Sequence, residues 1–146
     1  MRKYAAAAAL LLMSCNQASK QPAIAIDGAW ARATLPGQMS SAAYFTITNT
    51  GGPEVLLSVS SPAGDASLHS TSMAGGVMKM RPLSELDVPE GQSVTLRPGG
   101  THVMVMGLKQ PLAAGSSIPL DLKFQKSGEL HVEATVKAAG SQGEGM

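Results

Sequence analysis

The sequence predicts an all-β domain, built either as an antiparallel sandwich or as a Greek-key barrel. Three observations support this prediction: short stretches of strand-like composition alternate with Gly- and Pro-rich turns, no long stretch has helical periodicity, and no internal repeat is present. The chain has 146 residues, of which 44% are hydrophobic and 14% are charged. This length and composition are sufficient for one domain with a substantial core.

The N-terminus has the features of an export signal. Arg2 and Lys3 precede an apolar run over residues 5–13, which is shorter than the ~20 residues that a membrane-spanning helix needs. The run ends in L-M-S before Cys15, the only cysteine of the chain, and this junction resembles a bacterial lipobox. We therefore expect residues 1–14 to be a signal peptide and Cys15 to be lipidated, which anchors the protein to a membrane at the periplasmic or cell-envelope face. The alternative is an ordinary secretory signal with an incidental cysteine.

Charge and cysteine content argue against several functional classes. Without residues 1–14, nine basic residues face ten acidic ones, so no basic surface is expected to bind nucleic acid. Beyond Cys15 the chain has no thiolate for a redox pair, a cysteine zinc cluster or a blue-copper centre. No Ser-His-Asp order, paired-carboxylate site or P-loop points to an enzyme, so catalytic activity is not expected.

Nine strands are expected in order after a lipidated N-terminus and polar tether over residues 15–23. They cover residues 24–32, 42–48, 54–60, 66–72, 77–81, 93–97, 102–106, 117–125 and 129–137. Gly- and Pro-containing turns separate them, such as Gly75-Gly76. Residues 24–137 are thus predicted to form the folded β domain, and the Gly-rich residues 138–146 are expected to be a disordered tail.

Alternation within these strands predicts which side chains are buried. Leu120, Leu122 and Phe124 fall on one face of their strand, which is therefore the core face. Tyr44 and Phe45 are adjacent and point to opposite faces, so only one of them is expected to be deeply buried.

Two histidines and two methionines recur at fixed separations: His69, ten residues, Met80, twenty-one residues, His102, one residue, Met104. Imidazole nitrogen and thioether sulfur form a soft, neutral donor set that suits monovalent copper better than zinc, calcium or magnesium. Taken singly, each of these residues is more often a packing or polar surface residue than a ligand. His131 alternates with apolar neighbours and shares the polar face of its strand with Glu133, so it is expected at the surface, as only a weak candidate ligand.

Three further methionines lie close in sequence to the proposed ligands. Met73, Met78 and Met106 are spare sulfurs. Met78 and Met106 are expected to pack, or to lie next to a ligand, because each shares a strand face with one of the proposed ligands.

The spacing matches, without a gap, the signature H-x10-M-x21-H-x-M of the PCuAC-type periplasmic copper chaperones, which the chain resembles over residues 26–136. The surrounding segments resemble family blocks as well, namely A-W-A-R-A-T, A-A-Y-F-T-I-T-N, G-V-M-K-M-R and P-G-G-T-H-V-M. The resemblance implies a cupredoxin-like Greek-key β-barrel that binds Cu(I) at an exposed edge through His69, Met80, His102 and Met104. Some members bind a second copper through a His- and Met-rich C-terminal extension, but the tail here offers only Met146.

The predicted function is that of a metallochaperone which binds one Cu(I) per domain and delivers it to an acceptor. The resemblance implies that this acceptor is the CuA centre of cytochrome c oxidase subunit II or another copper chaperone. Two alternatives remain open: a periplasmic copper-sequestering or resistance protein that buffers copper without specific transfer, and a metal-free adhesion or assembly module whose methionines serve only in packing.

Overall fold

The structure is a computed structural model that describes residues 21–138. Within that range the chain forms ten strands and no helix, which confirms the predicted all-β fold class. The strands are β1 (Ile24–Arg32), β2 (Ser41–Asn49), β3 (Glu54–Ser60), β4 (Asp65–Ala74), β5 (Val77–Pro82), β6 (Leu86–Val88), β7 (Ser93–Thr95), β8 (Thr101–Met106), β9 (Ser117–Phe124) and β10 (Gly128–Lys137). The predicted signal segment 1–14, Cys15 and the tail from residue 139 onward lie outside the described residues.

The ten strands form one hydrogen-bonded sheet that curls around a single core. Their order is β5-β4-β8-β2-β1-β10-β9-β3-β6, and β7 pairs with the second half of β2. Among the described strands, β1 and β10 are parallel and the other pairs are antiparallel. Neighbours that are distant in sequence, such as β2 and β8, produce the crossovers of a Greek key, while β5 and β6 remain as edges. None of the residues from 21 to 138 belongs to a helix that could cross a bilayer.

Alternation along the strands supplies the core, as predicted. In β9, the buried residues Leu120, Leu122 and Phe124 alternate with the more exposed Asp121 and Lys123. Inward-facing side chains from β1, β2, β3, β4, β6, β8, β9 and β10 join them in one cluster. Each fully buried side chain of this size contributes about 1.5–3 kcal/mol relative to an exposed one. The fold is therefore held mainly by the inner face of the curled sheet.

The predicted strands all appear, but β6 was not predicted. β6 has three residues and pairs with the start of β3, where Val88 is fully buried opposite Glu54. Three residues are too few to show a period of two, so no local pattern marks this strand. The strand predicted over residues 93–97 ends at Thr95. The N–H of Leu96 still donates to Phe45 of β2, but the N–H of Arg97 donates instead to the carbonyl of Thr101, the first residue of β8.

The strand β2 is buried on both faces. Phe45 lies in the core, whereas Tyr44 packs on the opposite face against Trp30, with ring centroids 4.7 Å apart and an angle of 38° between the planes. The expectation that only one of Tyr44 and Phe45 is deeply buried is therefore wrong. The physical reason is that two side chains of the neighbouring strand β1 cover Tyr44 on the outer face of the sheet. They are the indole of Trp30 and the guanidinium of Arg32, which lies 5.7 Å from the Tyr44 ring centroid.

A buried carboxylate closes the hairpin between β9 and β10. Glu54 is 2% exposed, and its two carboxylate oxygens accept hydrogen bonds of 2.7–3.2 Å from the N–H groups of Val55, Lys126 and Ser127 and from the Ser127 hydroxyl. Burial alone raises the pKa of Glu54, but these hydrogen bonds outweigh it and hold the pKa below its ordinary value. The ionised form of Glu54 is therefore the one that stabilises the fold.

We expect Glu54→Gln to lower the free energy of unfolding near neutral pH by about 2 kcal/mol, because several hydrogen bonds to a charged acceptor are lost. Since folding depresses the pKa of Glu54, its contribution is present above the ordinary carboxyl pKa and disappears as the pH falls through the folded-state value. The difference between wild type and variant should therefore narrow in acid, as measured by urea unfolding at several pH values. Exposed Glu133 provides the control Glu133→Gln, and equal effects of the two substitutions would contradict this role of Glu54.

Candidate metal centre

Three neighbouring strands at one end of the sheet carry the four predicted ligands. His69 lies on β4, Met80 on β5, and His102 and Met104 on β8, with β4 between the other two strands. His69 pairs directly with His102, and Met80 pairs with Thr71, two residues beyond His69. Residues two apart on a strand share a face, and so do directly paired residues on neighbouring strands. All four predicted ligands therefore lie on one face of the sheet.

The two histidine rings are neighbours, and the ring of His102 is held in a defined orientation. The ring centroids of His69 and His102 are 6.1 Å apart, and their planes differ by 19°. His102 is 4% exposed, and its Nδ1 lies 3.0 Å from the carbonyl oxygen of Gly100. A carbonyl can only accept a hydrogen bond, so Nδ1 of His102 carries the proton and donates it. Nε2 then retains the lone pair with which a neutral imidazole binds a metal.

His69 is less tightly held than His102. Its side chain is half-buried, and its Nδ1 lies 3.4 Å from the hydroxyl oxygen of Ser67, which is a long and weak contact. The ring of His69 is therefore free to adjust its orientation more readily than the ring of His102.

A cavity of about 390 Å³ opens beside His102. Met80, His102 and Met104 line it, while His69 is outside the lining and contributes through its position next to the His102 ring. Met80 is 50% exposed, Met104 is half-buried and His102 is buried, so accessibility decreases from the sheet edge inward. A larger cavity of about 460 Å³ lies between the Pro62 loop and the start of β9 and contains none of the predicted ligands.

The charges around this cavity do not favour a hard divalent cation. Among the described residues that line it there is no Asp or Glu, and Arg32 is the charged member. Calcium and magnesium require oxygen ligands, usually carboxylates, to balance their charge. Imidazole and thioether groups next to a guanidinium suit a soft monovalent ion better.

Tyr44 is a neighbour of the site that sequence reasoning missed. Its ring centroid lies 6.4 Å from that of His102, so the rings of Trp30, Tyr44, His102 and His69 form a row across four strands. Burial raises the pKa of Tyr44, and the charge of Arg32 offsets this only in part, so Tyr44 remains a neutral phenol. The pairing of β2 with β8 is what brings Tyr44 beside His102, and this pairing is not visible in the sequence.

The spare methionines do not pack in the core. Met73, Met78 and Met106 are all exposed, so of the two roles expected for Met78 and Met106, packing does not apply. For Met78 the reason is that β5 is an edge strand of a projecting hairpin, whose residues are exposed on both faces. Its position next to a predicted ligand does agree with expectation, because Met78 lines the same cavity as Met80.

His131 is exposed, as predicted, and belongs to a different part of the sheet. Its Nδ1 contacts a carboxylate oxygen of Asp121 on the neighbouring strand, and Glu129 lies close to both. The hydrogen bond and the charge of Asp121 raise the pKa of His131. This imidazole is therefore already paired with a carboxylate and is separate from the four predicted ligands.

Comparison with known proteins identifies related sequences that are described as lipoproteins. A family model with the description "Putative lipoprotein LpqE-like" matches residues 24–136. Among curated proteins, "Putative lipoprotein Lxx21020" of Leifsonia xyli subsp. xyli (strain CTCB07) is 34% identical over 117 residues. That match covers 78% of this chain and 69% of the other protein.

Solved structures with a similar fold are PCuAC domains. The copper-bound PCuAC domain from PmoF2 is 26% identical with a TM-score of 0.67, and the match covers 79% of this chain and 92% of that domain. The solution structure of apo-DR1885 from Deinococcus radiodurans is 32% identical with a TM-score of 0.63, and the match covers 96% of this chain and 98% of the other chain. The solution structure of CuI-DR1885 from the same organism is 34% identical with a TM-score of 0.62. That match covers 87% of this chain and 85% of the other chain. This similarity confirms the predicted cupredoxin-like Greek-key fold.

Proposed function

The chain belongs to the LpqE-like family, and we propose that it carries monovalent copper in the cell envelope. One Cu(I) would bind through His69, Met80, His102 and Met104 and would be delivered to a copper acceptor. The observation that carries this proposal is that β4, β5 and β8 present these four side chains on one face, beside a cavity whose described lining includes no carboxylate. The copper-bound PmoF2 domain and CuI-DR1885, which share the fold, provide independent support.

The donor set suits a carrier rather than a permanent copper site. Neutral imidazole and thioether donors leave the bound ion with a charge of +1, and thioethers favour Cu(I) over Cu(II). Without a thiolate the site holds copper selectively but less firmly than an acceptor that has thiolate ligands. Transfer to such an acceptor then proceeds downhill by exchange of ligands, and no covalent chemistry is required of the protein.

The structure around each donor supports a division of roles. His102, held by the Gly100 carbonyl and flanked by Tyr44, would be the fixed donor. Met80, half exposed on the edge strand, would be the donor most accessible to an approaching acceptor. A buried donor at one side and an exposed donor at the other allow the ion to be released stepwise.

Lipid attachment at Cys15 is the second part of the proposal. The lipobox-like residues before Cys15 and the lipoprotein descriptions of the relatives support it. An anchored carrier remains near membrane-bound acceptors, of which the CuA centre of cytochrome c oxidase and a second copper chaperone are the candidates that the PCuAC resemblance implies. The second candidate function is copper sequestration without specific transfer, which the same donor set would also support.

We expect His102→Gln and Met80→Leu each to weaken Cu(I) binding by more than about 100-fold, because loss of even a hydrogen-bond partner of a ligand costs roughly 10–100-fold. Against the chelator, wild type should retain one tightly bound Cu(I) and should bind Zn(II) much more weakly. The measurement is an anaerobic titration against a competing Cu(I) chelator, with metal content determined afterwards. His131→Gln and Met106→Leu remove the same donor types outside the site and should leave the affinity unchanged. Met80 is exposed, so a loss of affinity in Met80→Leu cannot be attributed to altered folding. Retained affinity in this variant would contradict the assignment of Met80 as a ligand.

Transfer distinguishes a chaperone from a sequestering protein. When the copper-loaded protein is mixed with one equivalent of the apo copper domain of cytochrome c oxidase subunit II and the two are separated, we expect most of the copper on the acceptor. Retention of the copper by this protein at equilibrium would instead favour sequestration. Free Cu(I) buffered to the same concentration provides the control for transfer through solution.

We expect Cys15→Ser to abolish incorporation of labelled fatty acid and to block cleavage of the signal segment before this position, because the acylated sulfur would be absent. Ser19→Ala, four residues downstream, should leave both properties unchanged. Wild-type incorporation of fatty acid together with unaltered processing of Cys15→Ser would exclude lipid attachment at this cysteine.

A further inference from the structure

Three exposed methionines lie on the hairpin that β4 and β5 form. Met73 is 67% exposed, Met78 is 63% exposed and Met80 is 50% exposed. Met73 pairs directly with Met78 across the hairpin, just before its two-residue turn. The turn residues Gly75 and Gly76 have φ values of 60° and 78°, as a tight type I′ hairpin requires. The tip of the hairpin is therefore a well-defined turn, which fixes the separation of the two methionines.

The three methionines share one face of the hairpin. Directly paired residues have Cβ atoms ~4.5–5.5 Å apart. Met78 and Met80 are two residues apart on one strand and therefore lie on the same face, ~7 Å apart along the strand. Lys79 and Arg81 alternate with them and occupy the other face. The thioethers are thus separated from the positive charges of the same strand.

This arrangement continues the line of donors from the site to the outside. Met78 lines the same cavity as Met80, His102 and Met104, whereas Met73 lies across from Met78 near the tip. Thioether sulfurs therefore run from the tip of the hairpin through Met80 to the buried end of the candidate metal centre. Core packing does not explain Met73 and Met78, because both are exposed to solvent.

Thioethers at this spacing are suited to one kind of ligand. A methionine side chain has three rotatable bonds and a polarisable sulfur, so two or three of them can converge on a soft ion. Their only metal-binding atom is a neutral sulfur, which selects Cu(I) and similar ions over divalent hard cations. Without an imidazole, and with the ligands exposed, such a site binds more weakly than a site that also contains His69 and His102.

We propose that Met73 and Met78, together with Met80, form a second and weaker binding site for Cu(I) at the hairpin, through which the ion passes to and from the deeper site. The direction of this passage rests on the proposed copper-carrier function, but binding at the hairpin does not. In the transfer step, bonds from copper to His69, His102 and Met104 form while those to Met73 and Met78 break, and Met80 is shared. The copper stays monovalent, and thioethers carry no proton, so neither an oxidant nor a base is needed.

The test is an NMR titration of the full chain in detergent, with the methionine methyl groups labelled with ¹³C. Silver(I) serves as an air-stable monovalent probe, and Cu(I) is added anaerobically in a second series. We expect the first equivalent to shift the methyl signals of Met80 and Met104. Further equivalents should then shift those of Met73 and Met78 with weaker affinity. Constant Met73 and Met78 signals throughout the titration would overturn the proposal.

Two double variants give the matched comparison. In Met73→Leu/Met78→Leu we expect the second event to be lost, the affinity of the first event to be unchanged, and capture of Cu(I) from a chelator to be slower. Met39→Leu/Met106→Leu removes two similarly exposed methionines outside the hairpin and should leave both events intact. A second event that persists in the hairpin variant would overturn the proposal. The proposal would also be overturned if Met73→Leu/Met78→Leu delivered copper to an acceptor protein more slowly than wild type but gave the same metal titrations as wild type. That result would identify the hairpin as an apolar docking surface for the acceptor.

The same spectra separate this proposal from the proposed function. If Met104 shifts but Met73 and Met78 do not, the deeper site stands and the hairpin site fails. If Met73 and Met78 shift but Met104 does not, the hairpin site stands and the four-ligand site fails. In His69→Gln/His102→Gln, the hairpin signals should still respond to silver(I), because no imidazole belongs to that site.

Discussion

The candidate metal centre depends on the antiparallel register between β4 and β8. In this register Leu68 lies opposite Val103 on the inner face, and His69 lies opposite His102 on the outer face. A shift of one residue in either strand would exchange its two faces, bringing a histidine into the core and an apolar residue out of it. Exposing Leu68 or Val103 costs about 1.5–3 kcal/mol each. The inner face of the sheet therefore fixes the positions of the proposed donors on the outer face, although these residues add nothing to the core themselves.

The site combines a rigid part with an accessible part. β8 lies inside the sheet, and its proposed donor His102 is constrained by the Gly100 carbonyl and by the adjacent ring of Tyr44. β5 lies at the edge, where Met80 is half exposed and can therefore change its conformation at low cost. In the proposed site, fixed donors would supply selectivity because their geometry is determined before the ion arrives, whereas mobile donors would permit exchange. The fold thus places these two requirements on different strands.

Much of the fold could be predicted because its signals are local. Alternation of apolar and polar residues and the Gly- and Pro-rich turns mark nine of the strands within a few residues of their observed ends. The features that could not be predicted depend on long-range pairing. Glu54 accepts hydrogen bonds from Ser127, which is 73 residues away, and β6 becomes a strand only by pairing with β3. Similarly, the spacing of the histidines and methionines indicates which donors to consider, but only the strand order shows that they share one face.

The composition of β5 also affects how the protein behaves at high local concentration. An unpaired edge strand offers free N–H and C=O groups to another chain, and an exposed apolar edge is a common starting point for aggregation. Here Lys79 and Arg81 place positive charges along that edge, and the strand ends in Pro82, which has no N–H group to donate. Two approaching copies would meet like charges and an incomplete set of hydrogen bonds. The hairpin can therefore expose its methionines at high protein concentration without serving as a template for intermolecular sheet growth.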